Sequence, residues 1–209
     1  MGVDRTALAT GERRDLADFL ETLTPEEWDR PSLCQGWTVR DVVAHMISYE
    51  EVGMLGFIGR FARQGFRFGK MNQRRLEELG PRSPAELVAD MRAHVRPSGP
   101  TAVADARIGL TDGLIHHQDI RRALGRPRQV PAERLIPVIG FAMIAPPLPA
   151  KQNTQGLRLV ATDLDWSHGN GAEVTGSGEA LLMAVCGRAH ALPELAGPGL
   201  ATLENRVRA

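Results

Sequence analysis

Apolar residues recur at helical spacing through the first two thirds of the chain. Leu8, Leu16, Phe19 and Leu20 mark an opening helix. Thr24-Pro25-Glu26-Glu27 follows with a cap, a proline at the first helical position and acids in the first turn, which predicts a short helical turn. Val39, Val42, Val43, Met46 and Ile47 then form an apolar stripe within one long predicted helix from Thr38 to about Arg63. Ser83-Pro84-Ala85-Glu86 is a capping box with proline at N1; it opens a helix through about Val95, ended by the loop Pro97-Ser98-Gly99-Pro100. Val103, Ile108, Leu110, Leu114, Ile115 and Ile120 predict a further helix from about Ala102 to Leu124, stopped by Gly125 and Pro127. A last bundle helix is expected over Glu133 to Met143.

Beyond the prolines of Pro146 to Pro149 the period changes. Leu157, Leu159, Ala161 and Leu164 suggest a strand, Gly169-Asn170-Gly171 a turn, and Glu173 to Thr175 a second strand completing a hairpin. Glu179 to Cys186 reads as a helix closed by Gly187. The expected fold is mainly α: a helical bundle over residues 1–150 and a small α+β C-terminal region over 151–209.

Charge narrows the choice of partner. Lys plus Arg and Asp plus Glu both total 25, with no block of one sign. A nucleic-acid partner is not expected, because phosphate binding needs concentrated positive charge. Cys34 and Cys186 form no CxxC pattern, so a reducing cytoplasm is the expected compartment. The amino terminus lacks the basic and apolar runs of a secretory signal. The longest uncharged stretch, Leu135 to Ala150, contains four prolines and is shorter than the roughly 20 residues of a membrane span, so no membrane partner is expected.

Asp112 and His116 are four residues apart inside a predicted helix, which stacks their side chains on one face, close enough to chelate one ion. A catalytic zinc site usually adds a third protein ligand and an open position. His45 interrupts an apolar stripe, must therefore face the interior or its edge, and is the natural candidate. The same pattern also fits a core histidine bonded to a carbonyl beside an ordinary helix pair. Asp119 shares the face of Asp112 and His116. His117, about 100° further round the helix, is expected behind the ligands or at the surface. Cys34 has no basic neighbour in sequence and reads as a small buried residue rather than a nucleophile. Trp37 reads as a packing anchor or a pocket wall.

The run Pro31-Ser32-Leu33-Cys34-Gln35-Gly36-Trp37-Thr38-Val39-Arg40-Asp41-Val42-Val43-Ala44-His45 closely resembles the first signature of the mycothiol-dependent maleylpyruvate isomerase family, within the DinB-like superfamily. Thr111-Asp112-Gly113-Leu114-Ile115-His116-His117-Gln118-Asp119-Ile120 is similar to its second signature, with aspartate where the isomerase carries glutamate. Met71-Asn72-Gln73-Arg74 matches a further family feature, and Gly156 to Arg188 resembles a shortened second domain. The resemblance implies a DinB-like four-helix bundle in which His45, Asp112 and His116 hold one divalent metal ion, zinc by first expectation. It further implies mycothiol as cofactor and a catalytic arginine, for which Arg188 is the nearest counterpart; Arg188 equally fits a helix C-terminal charge meeting the dipole.

The expected function is a metal-dependent, mycothiol-using transferase or isomerase acting on a small electrophilic molecule. The alternatives are a non-catalytic metal- and thiol-binding or sensor module, and a purely structural helical protein. A small-molecule thiol and an electrophile are the expected partners; the assembly is open, with a homodimer paired through helix faces as one option.

Overall fold

A computed structural model describes residues 4–50, 52–65, 67–80 and 82–209. Two compact units make up the chain, Met1–Arg128 and Gln129–Ala209. This division falls earlier than the expected boundary at 150, because the helix predicted over Glu133 to Met143 packs within the second unit.

The first unit contains α1 (Arg5–Leu20), α2 (Pro25–Trp28), α3 (Val39–Ser48), α4 (Gly53–Arg63), α5 (Phe68–Leu79), α6 (Pro84–Ala93), a 3-10 turn at Gly99–Ala102, and α7 (Arg107–Ala123). Helices α1, α7, α3 and α6 pack in a ring, each on the next, and make the four-helix bundle. Leu16, Leu20, Val39, Val42, Val43, Met46, Leu87, Met91 and Ile120 fill its centre. Each large aliphatic side chain buried there contributes roughly 1.5–3 kcal/mol. Capping boxes start α2 (Thr24, Glu27), α3 (Thr38, Asp41) and α6 (Ser83, Glu86), which satisfy amides that the helices cannot.

The single helix expected over Thr38 to Arg63 is two. Residue Glu51 lies outside the described residues; on either side of it α3 ends at Ser48 and α4 begins at Gly53, whose φ of 63° only glycine adopts freely. The break turns Glu50 inward. Its carboxylate accepts from Arg13 Nη2 at 2.7 Å, from Ser98 N and Oγ at 2.7 Å each, and from Thr101 Oγ1 at 2.5 Å. A buried carboxylate tied to four donors outweighs the few helical hydrogen bonds lost at the break. The 102–124 helix also starts late, at Arg107, after Ala104, Asp105 and Ala106 adopt left-handed φ values of 55°, 59° and 54°.

The second unit holds α8 (Ala132–Ala142), α9 (Ala150–Asn153), β1 (Leu157–Ala161), β2 (Ser167–Gly169), β3 (Ala172–Gly176), α10 (Gly178–Val185), a 3-10 turn at Ala189–Glu194, and α11 (Leu200–Val207). Its core helix α10 is buried at every position from Ala180 to Val185 and packs on α8 and on β1. The expected hairpin between β1 and Glu173 to Thr175 does not form. The sheet order is β2-β1-β3, with β2 antiparallel and β3 parallel to β1. Gly169 and Gly171 carry the chain around the start of β1 so closely that a Cβ would lie 2.3 Å from the Leu157 carbonyl oxygen and 2.1 Å from that of Gly156. They make a crossover, not a hairpin turn.

Candidate metal centre

The capping box at Thr38 fixes where α3 begins: Thr38 N donates to Asp41 Oδ2 at 2.9 Å, and Asp41 N to Thr38 Oγ1 at 3.2 Å. From that start, Val42, Val43, Met46 and Ile47 are buried and carry His45 in with them. Trp37, just before the cap, lies against His45 with ring centroids 4.9 Å apart, and Tyr49 meets the same ring edge-on at 5.2 Å. Tyr49 was not singled out by sequence reading, although its spacing of four from His45 on the helix would have pointed to it. Its hydroxyl is bonded to Asn72, and burial, then Asp112, pushes its pKa up.

α7 brings the other two predicted ligands to the same place. Asp112 Oδ1 stands 3.7 Å from His45 Nε2 and 3.5 Å from His116 Nε2, and the three donor atoms lie within 4.8 Å of one another. The spacing is informative. Nitrogen and oxygen donors prefer roughly 2.7–3.2 Å when they share a proton. Two ligands at roughly 2.0–2.1 Å from a tetrahedral ion stand roughly 3.4 Å apart. The trio has ion-sized gaps, and the second carboxylate oxygen of Asp112 is a buried atom with no hydrogen-bond partner. Two imidazoles and a carboxylate form a donor set suited to a divalent metal, and an unpartnered buried oxygen is what such an ion would satisfy. The residues present fit the group.

Electrostatics prepare Asp112 and His45 in the same sense, while His116 has a proton that an ion must displace. Burial pushes Asp112 up, but His116, His45 and Arg13 outweigh it and bring its pKa down to about 2. Burial pushes His45 down against the pull of Asp112, which favours the neutral, ligating imidazole. For His116 burial acts downward too, but Asp112, Asp119 and Cys34 together raise its pKa well above the ordinary value.

Residues 9–97 match the family model described as the mycothiol maleylpyruvate isomerase N-terminal domain. Over this stretch the chain is similar to the N-terminal domain of the mycothiol-dependent maleylpyruvate isomerase family. The family match contains His45 and ends before Asp112 and His116, so it speaks to one of the three donors. Two crystal structures of the mycothiol-dependent maleylpyruvate isomerase, one of them a histidine-to-alanine variant, share the fold. Their TM-scores are 0.61 for the variant and 0.60 for the other, at 15% and 14% identity, over 95% of this chain and 93% of theirs. No curated protein sequence matches the chain.

The other candidate residues fall as follows. Cys34, read as lacking a basic neighbour, acquires one from α7: its sulfur is 3.5 Å from His116 Nδ1 and donates to Asp119 Oδ2 at 3.1 Å. His117 is not at the surface. It is fully buried against α1, with Nδ1–H donating to Glu12 Oε1 at 2.8 Å and Nε2 accepting from Arg121 Nε at 2.8 Å. Arg188, in the second unit, donates from Nη1 to the Cys186 carbonyl at 2.8 Å, beside the C-terminus of α10. Among the described residues, no helix is long and apolar enough to cross a membrane.

Proposed function

We propose that this chain holds one divalent metal ion, zinc by first choice, through His45 Nε2, Asp112 and His116 Nε2, and uses it with mycothiol to transfer to or isomerise a small electrophilic molecule. The observation that carries the reading is the ion-sized spacing of His45 Nε2 and His116 Nε2 from Asp112 Oδ1, beside a second Asp112 oxygen, Oδ2, that is buried without a hydrogen-bond partner. The family-model match over residues 9–97 supports the thiol; the donor chemistry supports the metal.

When bound, such an ion supplies Lewis acidity that favours the thiolate form of a thiol. The chain's own groups do the rest. His45 contributes a neutral nitrogen because its buried ring favours the uncharged form. Asp112 contributes the negative charge and remains ionised throughout the neutral range. Trp37 and Tyr49 flank the His45 ring, fix its plane and shield it from water. Arg188 is proposed, on the resemblance alone, as the catalytic arginine, a planar cation of the kind that pairs with anionic oxygens.

The test is conversion of maleylpyruvate and a panel of small electrophiles by zinc-loaded protein with and without mycothiol. Turnover that needs mycothiol, is lost in His45→Ala and falls in Arg188→Ala while metal content is kept, supports the proposal. Binding of metal and mycothiol without conversion of any electrophile would make the chain a binding module instead.

A further inference from the structure

We infer that Asp119 and the thiol of Cys34 form a positioning pair, which fixes the ring nitrogen that His116 presents to the metal centre. This rests on His45, Asp112 and His116 being the ligands. Cys34 Sγ, His116 Nδ1 and Asp119 Oδ2 make a second cluster of potential ligands on the far side of the His116 ring. Its spacing is different in kind. Asp119 Oδ2 lies 3.0 Å from His116 Nδ1 and 3.1 Å from Cys34 Sγ, distances of shared protons rather than of two ligands on one ion.

The side chain of Asp119 is completely buried, so its carboxylate must be satisfied by donors of the protein. A neutral imidazole has one N–H to give. Directed from Nδ1 to Asp119, it leaves the lone pair on Nε2, the atom that faces Asp112. A carboxylate behind a metal-bound histidine in this way orients the ring and strengthens it as a donor.

Cys34 supplies the second donor, and a tight turn puts it there. Ser32 Oγ accepts from Cys34 N at 3.1 Å, the Cys34 carbonyl accepts from Trp37 N at 3.0 Å, and Gly36 takes a φ of 78° between them. Leu33 N donates to the Asp119 carbonyl at 3.3 Å and ties the turn to α7 through the same residue. One turn thereby sets the thiol against the carboxylate behind His116 and the Trp37 ring against His45. The sequence requirement at 34 is a short side chain with a proton to donate.

Zinc affinity by competition with a chromophoric chelator, at fixed pH, tests the assignment on wild type, Asp119→Asn, Cys34→Ala and Cys34→Ser. Asp119→Asn is expected to bind one zinc about 10–100-fold more weakly. Cys34→Ala should weaken binding by less, and Cys34→Ser, which restores a donor, should return towards wild type. Long-range 1H–15N spectra of zinc-loaded protein should show the His116 proton on Nδ1, with its resonance shifted in Asp119→Asn, a change that a merely structural role would not produce. Equal affinity in all four proteins overturns the inference while leaving the metal site standing, and a His116 proton on Nε2 overturns both. Wild type that binds no zinc overturns both. Should Asp119→Asn fail to fold, the difference between alanine and serine at 34 decides alone.

Discussion

Glu12 and His117, from opposite ends of the bundle sequence, meet at 2.8 Å with neither side chain exposed to solvent. Arg121 donates to the other ring nitrogen of His117, and Arg128 pairs with Glu12 from the rim. The imidazole is therefore held neutral, because a proton on Nε2 would displace the bond from Arg121. Burial lowers the His117 pKa from 6.5 to about 4, against the pull of Glu12. For Glu12 burial acts upward, but His117 and Arg128 prevail and bring it from 4.5 to about 2.

Both folded-state values lie below the unfolded ones, so in each case the unfolded chain binds protons more readily. Stability is expected to be full above about pH 6.5, to fall first as pH drops from 6.5 through 4, and to fall further between 4.5 and 2. Urea midpoints across this range check it. Glu12→Gln breaks the buried pair and should cost about 3–5 kcal/mol at neutral pH, with a shallower acid limb.

Gly171 and Gly140 provide an opposed pair of substitutions. At Gly171, with φ of 131°, an added Cβ would lie 2.1 Å from the Gly156 carbonyl oxygen, so Gly171→Ala should destabilise the second unit by at least roughly 1–3 kcal/mol. Gly140 is exposed on α8 with nothing within 4 Å, and Gly140→Ala should stabilise by roughly 0.5–1 kcal/mol. Thermal unfolding of the two variants beside wild type reads both signs.

Tyr49 joins the candidate metal centre to α5 through Asn72. Tyr49→Phe keeps the ring against His45 and loses one hydrogen bond, at a cost of about 0.5–1.5 kcal/mol with metal content unchanged. Tyr49→Ala removes the ring as well and should also weaken zinc binding, measured by the same chelator competition.

The sequence made the bundle legible where local signals agree with the fold. The stripe through Val42, Val43, Met46 and Ile47 and the capping boxes at Thr38 and Ser83 all lie where the structure needs them. It concealed what long-range contacts decide. The break before Gly53 follows from Glu50 reaching Arg13, Ser98 and Thr101, and no helical period encodes that. α5 escaped notice because its sequence is charged and buries Met71 alone among its well-placed apolar side chains. The short strand β2 is exposed along its length and carries no alternation, so the sequence points to Glu173 to Thr175 as the hairpin partner of β1, where the structure has β2 antiparallel and β3 parallel to it.

The candidate site divides in the same way. The spacing of Asp112 and His116 on one helix, and of His45 within an apolar stripe, was readable because it is local. The meeting of Cys34 with Asp119 joins residues 85 positions apart and had no local trace. Nor could the burial of His117 be read, since it depends on Glu12 in α1 arriving to accept its proton.

Metal loading should also stabilise the first unit, by about 4 kcal/mol when free zinc exceeds its dissociation constant by about a thousandfold. A chelator should remove that increment and restore the melting curve of the metal-free protein.

The most direct measurement is elemental analysis of purified, zinc-exposed and desalted protein: wild type beside His45→Ala, Asp112→Ala and His116→Ala, each confirmed folded by circular dichroism. One metal ion per wild-type chain and substantially less than one in every variant is the predicted result. Wild type without stoichiometric metal, or variants that retain it in full, would contradict the assignment of these three side chains to a common ion.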